Sequence, residues 1–429
     1  MTEPRTVAVL SAVLSNGGDA AILRGLERAL RAASDAELRF VVFDAAPETT
    51  APRFPDLAVR PALAARVWPA AGGGLARATR RTLYLPRARR LLVDARAARR
   101  IARLPLGNRL PEDPLAVLAR ADAIVSTGGT YLTDTYWLGP RLAALDAVRA
   151  LGRPFALYTQ SVGPFRRAET RRRLAAVFAD ARLTVLRDER SAGEVRALAP
   201  GARLAVRADA AFGLAEPEVL AAAPGRRMPE APHVVVSVRE WPHFARETAA
   251  AGMARYAEAV GAAATHAVRV WGGRVTFLST CQGTPGYRYD DAAVARRIAD
   301  ALPADVRDGV AVREASLSPQ ALVAAFGQAD LVVATRMHAA ILALCAGTPV
   351  IPIAYERKTA DLFQGLGRPD WVADIDAVTP ASLVARLDRV RAALPEARPS
   401  LFAHVEAART DALAAGRDVV AALGLRGAP

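Results

Sequence analysis

The feature that most constrains this chain is a rhythm. Short apolar runs alternate with stretches of helical periodicity, and each run ends at a polar or glycine-bearing turn. Parallel strands need crossover helices and are buried on both faces, so this alternation specifies parallel α/β architecture. One series of runs covers residues 7–14, 38–43, 123–126, 155–158, 183–186 and 203–206; a second covers 234–238, 275–279, 331–334 and 350–353. Two Rossmann-like doubly wound domains are expected, over 1–214 and 233–385, joined by an aperiodic linker at 215–232. Residues 386–429 read as a helical segment that packs back on the first domain. Residues 44–115 break the rhythm and read as an insertion or cap, with an arginine-rich helix over 75–104. That helix presents either a solvated face or an amphipathic one for a membrane or partner.

Composition narrows the function classes. The 429 residues are long enough for two cores, and 52% hydrophobic with 23% charged is globular, not disordered. The 57 basic against 43 acidic residues give a net charge of +14, but the arginines are scattered without interleaved aromatics. This favours composition drift over a nucleic-acid partner. Two cysteines, Cys281 and Cys345, cannot build a disulfide framework or a four-thiolate zinc site. His233, His243, His266 and His404 show no metal-ligand spacing, so no metal and no resident cofactor is expected. There is no run of about 18 apolar residues and no signal-peptide start, which points to a cytoplasmic protein.

Lys358 is the sole lysine. Where a generic cation suffices the chain uses Arg, so one retained ammonium marks either chance or a place that needs a compact charge. No Gly-Lys pair exists, which excludes a Walker A loop.

Ligands of open α/β sheets lie at the carboxyl ends of the strands. In the second domain those ends carry Arg239, Cys281, Arg336-Met337-His338 and Tyr355-Glu356-Arg357-Lys358. Several cations with a histidine there make a site for carboxylate or phosphate. Thr335 is placed to cap the following helix. The first domain offers Asn16, Gly17, Gly18, Asp19, Gly128, Gly129, Gln160, Asp188 and Asp209, a hydrogen-bonding and acidic set. Arg187-Asp188 reads equally as an ion pair at a helix start.

These stretches resemble the polysaccharide pyruvyl transferase family. The carriers are Ser15-Asn16-Gly17-Gly18-Asp19, Ala121 through Thr130, Gln160-Ser161-Val162-Gly163-Pro164, Arg187-Asp188 with Ser191, and Asp209-Ala210-Ala211-Phe212. Thr335-Arg336-Met337-His338, Gly347-Thr348-Pro349 and Tyr355-Glu356-Arg357-Lys358 complete them. The resemblance implies a GT-B-like pair of domains with a cleft between them, and transfer of pyruvate from phosphoenolpyruvate, as co-substrate, onto a sugar as a ketal. It implies donor binding by Arg239, Arg336, His338, Tyr355 and Lys358, and acceptor binding by Asn16, Gly17, Gly18, Asp19, Gly128, Gly129 and Gln160. His338, Arg336 and Asp188 become the catalytic candidates. The implied acceptor is a sugar or lipid-linked oligosaccharide, which would bring peripheral contact with an anionic membrane at the inner face. Three positions depart from the pattern: Thr159 and Ala210 stand where glycine and proline are expected, and Thr130 replaces a third glycine. The alternatives are a nucleotide-sugar glycosyltransferase of the same architecture, with Glu356 on the ribose, a related enzyme acting on a small metabolite, and a non-catalytic polyanion-binding protein.

Overall fold

A computed structural model describes residues 4–68, 74–102, 113–283 and 289–426. The apolar runs form two parallel sheets. The first contains β1 (Arg5–Ala12), β2 (Leu38–Asp44), β3 (Ala58–Pro61), β4 (Ala123–Ser126), β5 (Gly129–Leu132), β6 (Phe155–Val162), β7 (Leu183–Leu186) and β8 (Leu204–Val206). Its order is β3-β2-β1-β4-β6-β7-β8, with β5 paired to β6. The second contains β9 (His233–Ser237), β10 (Arg274–Phe277), β11 (Val310–Val312), β12 (Leu331–Ala334), β13 (Val350–Ala354) and β14 (Ala373–Asp374). Its order is β11-β10-β9-β12-β13-β14. In both sheets the order reverses beside the first strand, between β1 and β4 and between β9 and β12. That is the doubly wound pattern and its switch point.

Contacts divide the chain into two units. One comprises the described residues of Met1–Leu14, Ile22–Gly213 and Asp411–Pro429; the other comprises Ser15–Ala21 and Leu214–Thr410. The Asn16 to Asp19 stretch thus groups with the second sheet, not with the strand that precedes it. The helix Pro380–Leu423 contributes to both. From Asp411 onward it belongs with the first sheet, where Asp411 accepts from the Ala208 N–H at 2.7 Å and Asp418 pairs with Arg207 at 2.8 Å.

Two details correct the reading of the sequence. Residues 44–115 begin as sheet, because β3 lies parallel to β2 as the edge strand; the following helix, Gly74–Ile101, packs beside the helix Gly139–Leu151. The stretch 215–232 holds the helix Pro217–Ala222 and a further helical turn at Ala223–Gly225. Strands β3, β5, β11 and β14, of two to four residues each, are not among the runs read from the sequence.

Candidate functional site

In the second unit, Ser237 of β9 pairs with Ala334 of β12, so Arg239 and Arg336 each stand two residues past that rung, at the switch point. Both are buried, yet they are held differently. Arg336 makes a bidentate contact with Asp291, 2.5 Å from Nε to Oδ2 and 2.8 Å from Nη2 to Oδ1. Burial pushes the Asp291 carboxyl above its ordinary range, against the pull of the Arg336 guanidinium and, more weakly, that of Arg239. Among the described residues no carboxylate pairs with Arg239, which is 7% exposed. Its guanidinium instead lies 4.0 Å from the ring centre of Tyr355, 5.0 Å from Trp241 and 5.7 Å from Tyr289. Its Nε donates to Glu240 O at 3.1 Å, and aromatic faces hold a cation through the ring quadrupole while leaving its other N–H groups available to an anion.

The two arginines share a neighbour, since Tyr289 is also 5.6 Å from the Arg336 guanidinium carbon. Lys358 joins through Tyr355, its Nζ lying 5.9 Å from that ring and 2.6 Å from Glu356. Glu356, the acid that a nucleotide-sugar reading would place on a ribose, is therefore engaged by Lys358.

His338 is the second residue of the helix Met337–Cys345, whose other side chains are buried. An all-apolar helix is a core element, so its polar first turn is fixed from behind. Gly18 lies against the imidazole: a Cβ there would fall 2.6 Å from His338 Nδ1, which only glycine avoids. Gly17 donates its N–H to Thr280 O at 2.8 Å, and the Asn16 Oδ1 accepts from the Gly18 N–H at 2.9 Å. Asp19 is near enough to act on the Cys281 thiol, which burial pushes up to about 12; a thiol so raised is inert. Thr335 does not cap the helix. Arg336 occupies the N-cap position without a side-chain bond, and the Thr335 hydroxyl lies 2.6 Å from the buried Tyr256 hydroxyl. Cys345 sits in the core.

The strand ends of the first unit are built otherwise. Gln160 is 0% exposed, and its Nε2 donates to Thr127 O at 2.5 Å and to the Tyr131 hydroxyl at 2.7 Å. It ties the β4–β5 turn and presents no surface to a ligand. Gly128 backs onto Thr159, where a Cβ would come within 2.6 Å of the hydroxyl, and Gly129 has φ +144°. Asp188 is the N-cap of the helix Glu189–Leu198, accepting from Ser191 N–H at 2.7 Å and from Ser161 Oγ at 2.8 Å. Arg187 turns from its neighbour to Asp209 at 2.5 Å, with Ser161 and Thr130 each 2.6 Å away. Asp188 thus belongs to the first unit, whereas His338, Arg336, Arg239, Tyr355 and Lys358 are gathered in the second.

Asp291, Trp241 and Tyr289 were missed in the sequence. Asp290-Asp291 reads as a helix-start signal, and Asp290 is indeed the cap; nothing local announces that the second carboxylate reaches a guanidinium 45 residues away. Trp241, two residues past Arg239, was the one legible hint.

Comparison with known proteins gives the family and the fold. A curated relative, the amylovoran biosynthesis protein AmsJ of Erwinia amylovora, is 27% identical over 292 residues, 64% of this chain and 66% of that protein. The chain therefore spans just under two thirds of that relative's length. Among solved structures, UDP-GlcNAc 2-epimerase from Neisseria meningitidis bound to UDP-GlcNAc superposes with TM-score 0.54 at 8% identity, covering 92% of this chain and 94% of the other. An E. coli structure described as trehalose-6-phosphate bound with UDP-2-fluoro glucose gives TM-score 0.54 at 12% identity, covering 98% of each chain. At such identities these likenesses show the fold alone, a GT-B-like pair of α/β units. Among the described residues no helix is long and apolar enough to cross a membrane. Residues 16–357, most of the chain and every strand-end motif of the second unit but the last, Lys358, match one family, and the chain belongs to it: it is a transferase of the polysaccharide pyruvyl transferase family.

Proposed function

We propose that the protein moves the pyruvyl group of phosphoenolpyruvate onto two hydroxyls of a sugar in polysaccharide biosynthesis, forming a cyclic ketal. The observation that carries this reading is Arg239, a buried guanidinium at the switch point with aromatic faces around it and no carboxylate partner among the described residues. Phosphoenolpyruvate has a carboxylate and a phosphate on one three-carbon unit, so it needs more than one cation in fixed geometry. Arg239 takes one anionic group and Lys358 the other. Arg336, its charge shared with Asp291, orients the pair and contributes less net charge than its sequence position implies.

His338 delivers a proton to the terminal methylene carbon. The adjacent carbon becomes electrophilic, and a sugar hydroxyl oxygen bonds to it while losing its proton. The carbon–oxygen bond to phosphate then breaks, phosphate departs, and a second hydroxyl closes the ketal with loss of its own proton. Asp19, next to the Gly18 that packs on His338, orients a reacting hydroxyl in this reading. The acceptor in this reading is a sugar or a lipid-linked oligosaccharide handled at the cytoplasmic membrane face.

Thermal melting with phosphoenolpyruvate, inorganic phosphate and UDP-sugars tests the donor. A ligand at 100 times its dissociation constant adds about 2.7 kcal/mol. A shift with phosphoenolpyruvate beyond that of phosphate, absent in Lys358→Ala, is expected; a response to UDP-sugars alone would overturn the reading. His338→Ala should melt as the native protein does yet lose turnover by about a hundredfold or more, and unchanged turnover would remove it from the mechanism.

A further inference from the structure

We propose that the solvent face of residues 82–101, in the helix Gly74–Ile101, is a docking surface for an anionic membrane. The opposite face is settled: Leu91 and Ala95 are buried, and the Tyr84 hydroxyl donates to Gly139 O at 2.9 Å. What remains outward is an unusual mixture. Leu85 is 61% exposed and Val93 58%, and Arg89, Arg96 and Arg100 are exposed on the same side. At 100° per residue, Leu85, Arg89, Val93, Arg96 and Arg100 fall within one 80° sector. From residue 82 to 102 there are six arginines against one acid, Asp94.

A solvated face would carry both signs of charge and few large apolar groups. A protein-binding face would be depleted of same-sign charge at its centre. Nucleic acid would use the arginines but not the leucine and valine between them. Arginine stems and aliphatic side chains together suit the boundary between headgroups and acyl chains, where guanidinium meets phosphate and the apolar atoms leave water. Four of the eight large hydrophobic residues exposed among the described ones, Leu83, Leu85, Val93 and Ile101, lie on this helix.

The proposal is independent of the donor chemistry. Co-sedimentation of the full chain with vesicles of phosphatidylcholine, or of equimolar phosphatidylcholine and phosphatidylglycerol, reads it directly. Binding to the anionic vesicles only, weakening with salt, is expected. Each arginine near an anionic surface contributes about fivefold, so Arg89→Gln/Arg96→Gln/Arg100→Gln should weaken binding by roughly a hundredfold. Leu85→Ser/Val93→Ser, which keeps every charge, should weaken it by about tenfold or more. Inorganic phosphate should not compete, which separates a lipid surface from a simple phosphate site. Both variants should retain the native melting temperature and the native response to phosphoenolpyruvate. Equal binding to zwitterionic vesicles, no binding at all, or binding unchanged in both variants would overturn the proposal.

Discussion

The two units place charged residues at equivalent places, the carboxyl ends of parallel strands, and treat them in opposite ways. In the first, Arg187 is enclosed by Asp209, Ser161 and Thr130, and Asp188 is occupied as a helix cap. Every such charge is answered from within. In the second, Arg239 rests on rings, and only Arg336 has a buried carboxylate. The guanidinium of Arg239, where the strand order reverses, has no carboxylate pair among the described residues. Charge at a strand end therefore does not by itself mark a ligand site; in the proposed reading, the lack of such a pair does.

The largest expected effect would disturb Arg336, the buried switch-point arginine that Asp291 pairs with. Asp291→Asn leaves the Arg336 guanidinium buried and uncompensated, which should cost about 3–5 kcal/mol in denaturant unfolding. A loss below about 1 kcal/mol would mean that the pair is less buried than its geometry implies. Next comes the arginine that has no carboxylate pair among the described residues. Arg239→Ala should lower kcat/KM by about 2.7–4 kcal/mol, the scale for losing a donor aimed at developing charge, while sparing stability. Arg239→Lys should not restore activity, because an ammonium cannot stack on Tyr355 as a planar guanidinium does. Rescue by lysine would show that charge alone matters.

Smaller effects probe the first unit. Asp188→Ala should cost about 1 kcal/mol as a lost cap, and Asp188→Asn should recover it. Transfer lost in a stable Asp188→Asn protein would instead give this carboxylate a chemical role. Last, Thr159→Gly should stabilise the protein by about 1 kcal/mol by relieving a left-handed backbone; destabilisation would show that the packing of the threonine outweighs its strain.

Thr159 also shows what the sequence could and could not convey. The family resemblance called for glycine at this position. The backbone gives the reason: φ is +38°, at a β-branched residue, beside a register shift between Leu157 and Gln160 in the β6–β7 pairing. Alternation revealed both sheets because buried parallel strands are continuously apolar, and register then put Arg239 and Arg336 side by side. Partnership was not legible. Gln160 looked like a ligand residue because polarity at a strand end is visible in sequence, whereas its complete burial against Thr127 and Tyr131 depends on how a turn folds over it. Asp291 looked like a helix start because its contact with Arg336 crosses two strands. Asn16 to Asp19 followed a first-sheet strand, and only the contacts with Thr280 and His338 show the company they keep.

Lys358 gives the chain a practical property. Because every other basic side chain except the histidines is a guanidinium, an amine-directed reagent has a single side-chain target, and that target lies against Tyr355 in the candidate site. Acylation at that one nitrogen, followed by mass, would report occupancy of the anion site residue by residue without any engineered label. Its rate would fall as the site filled.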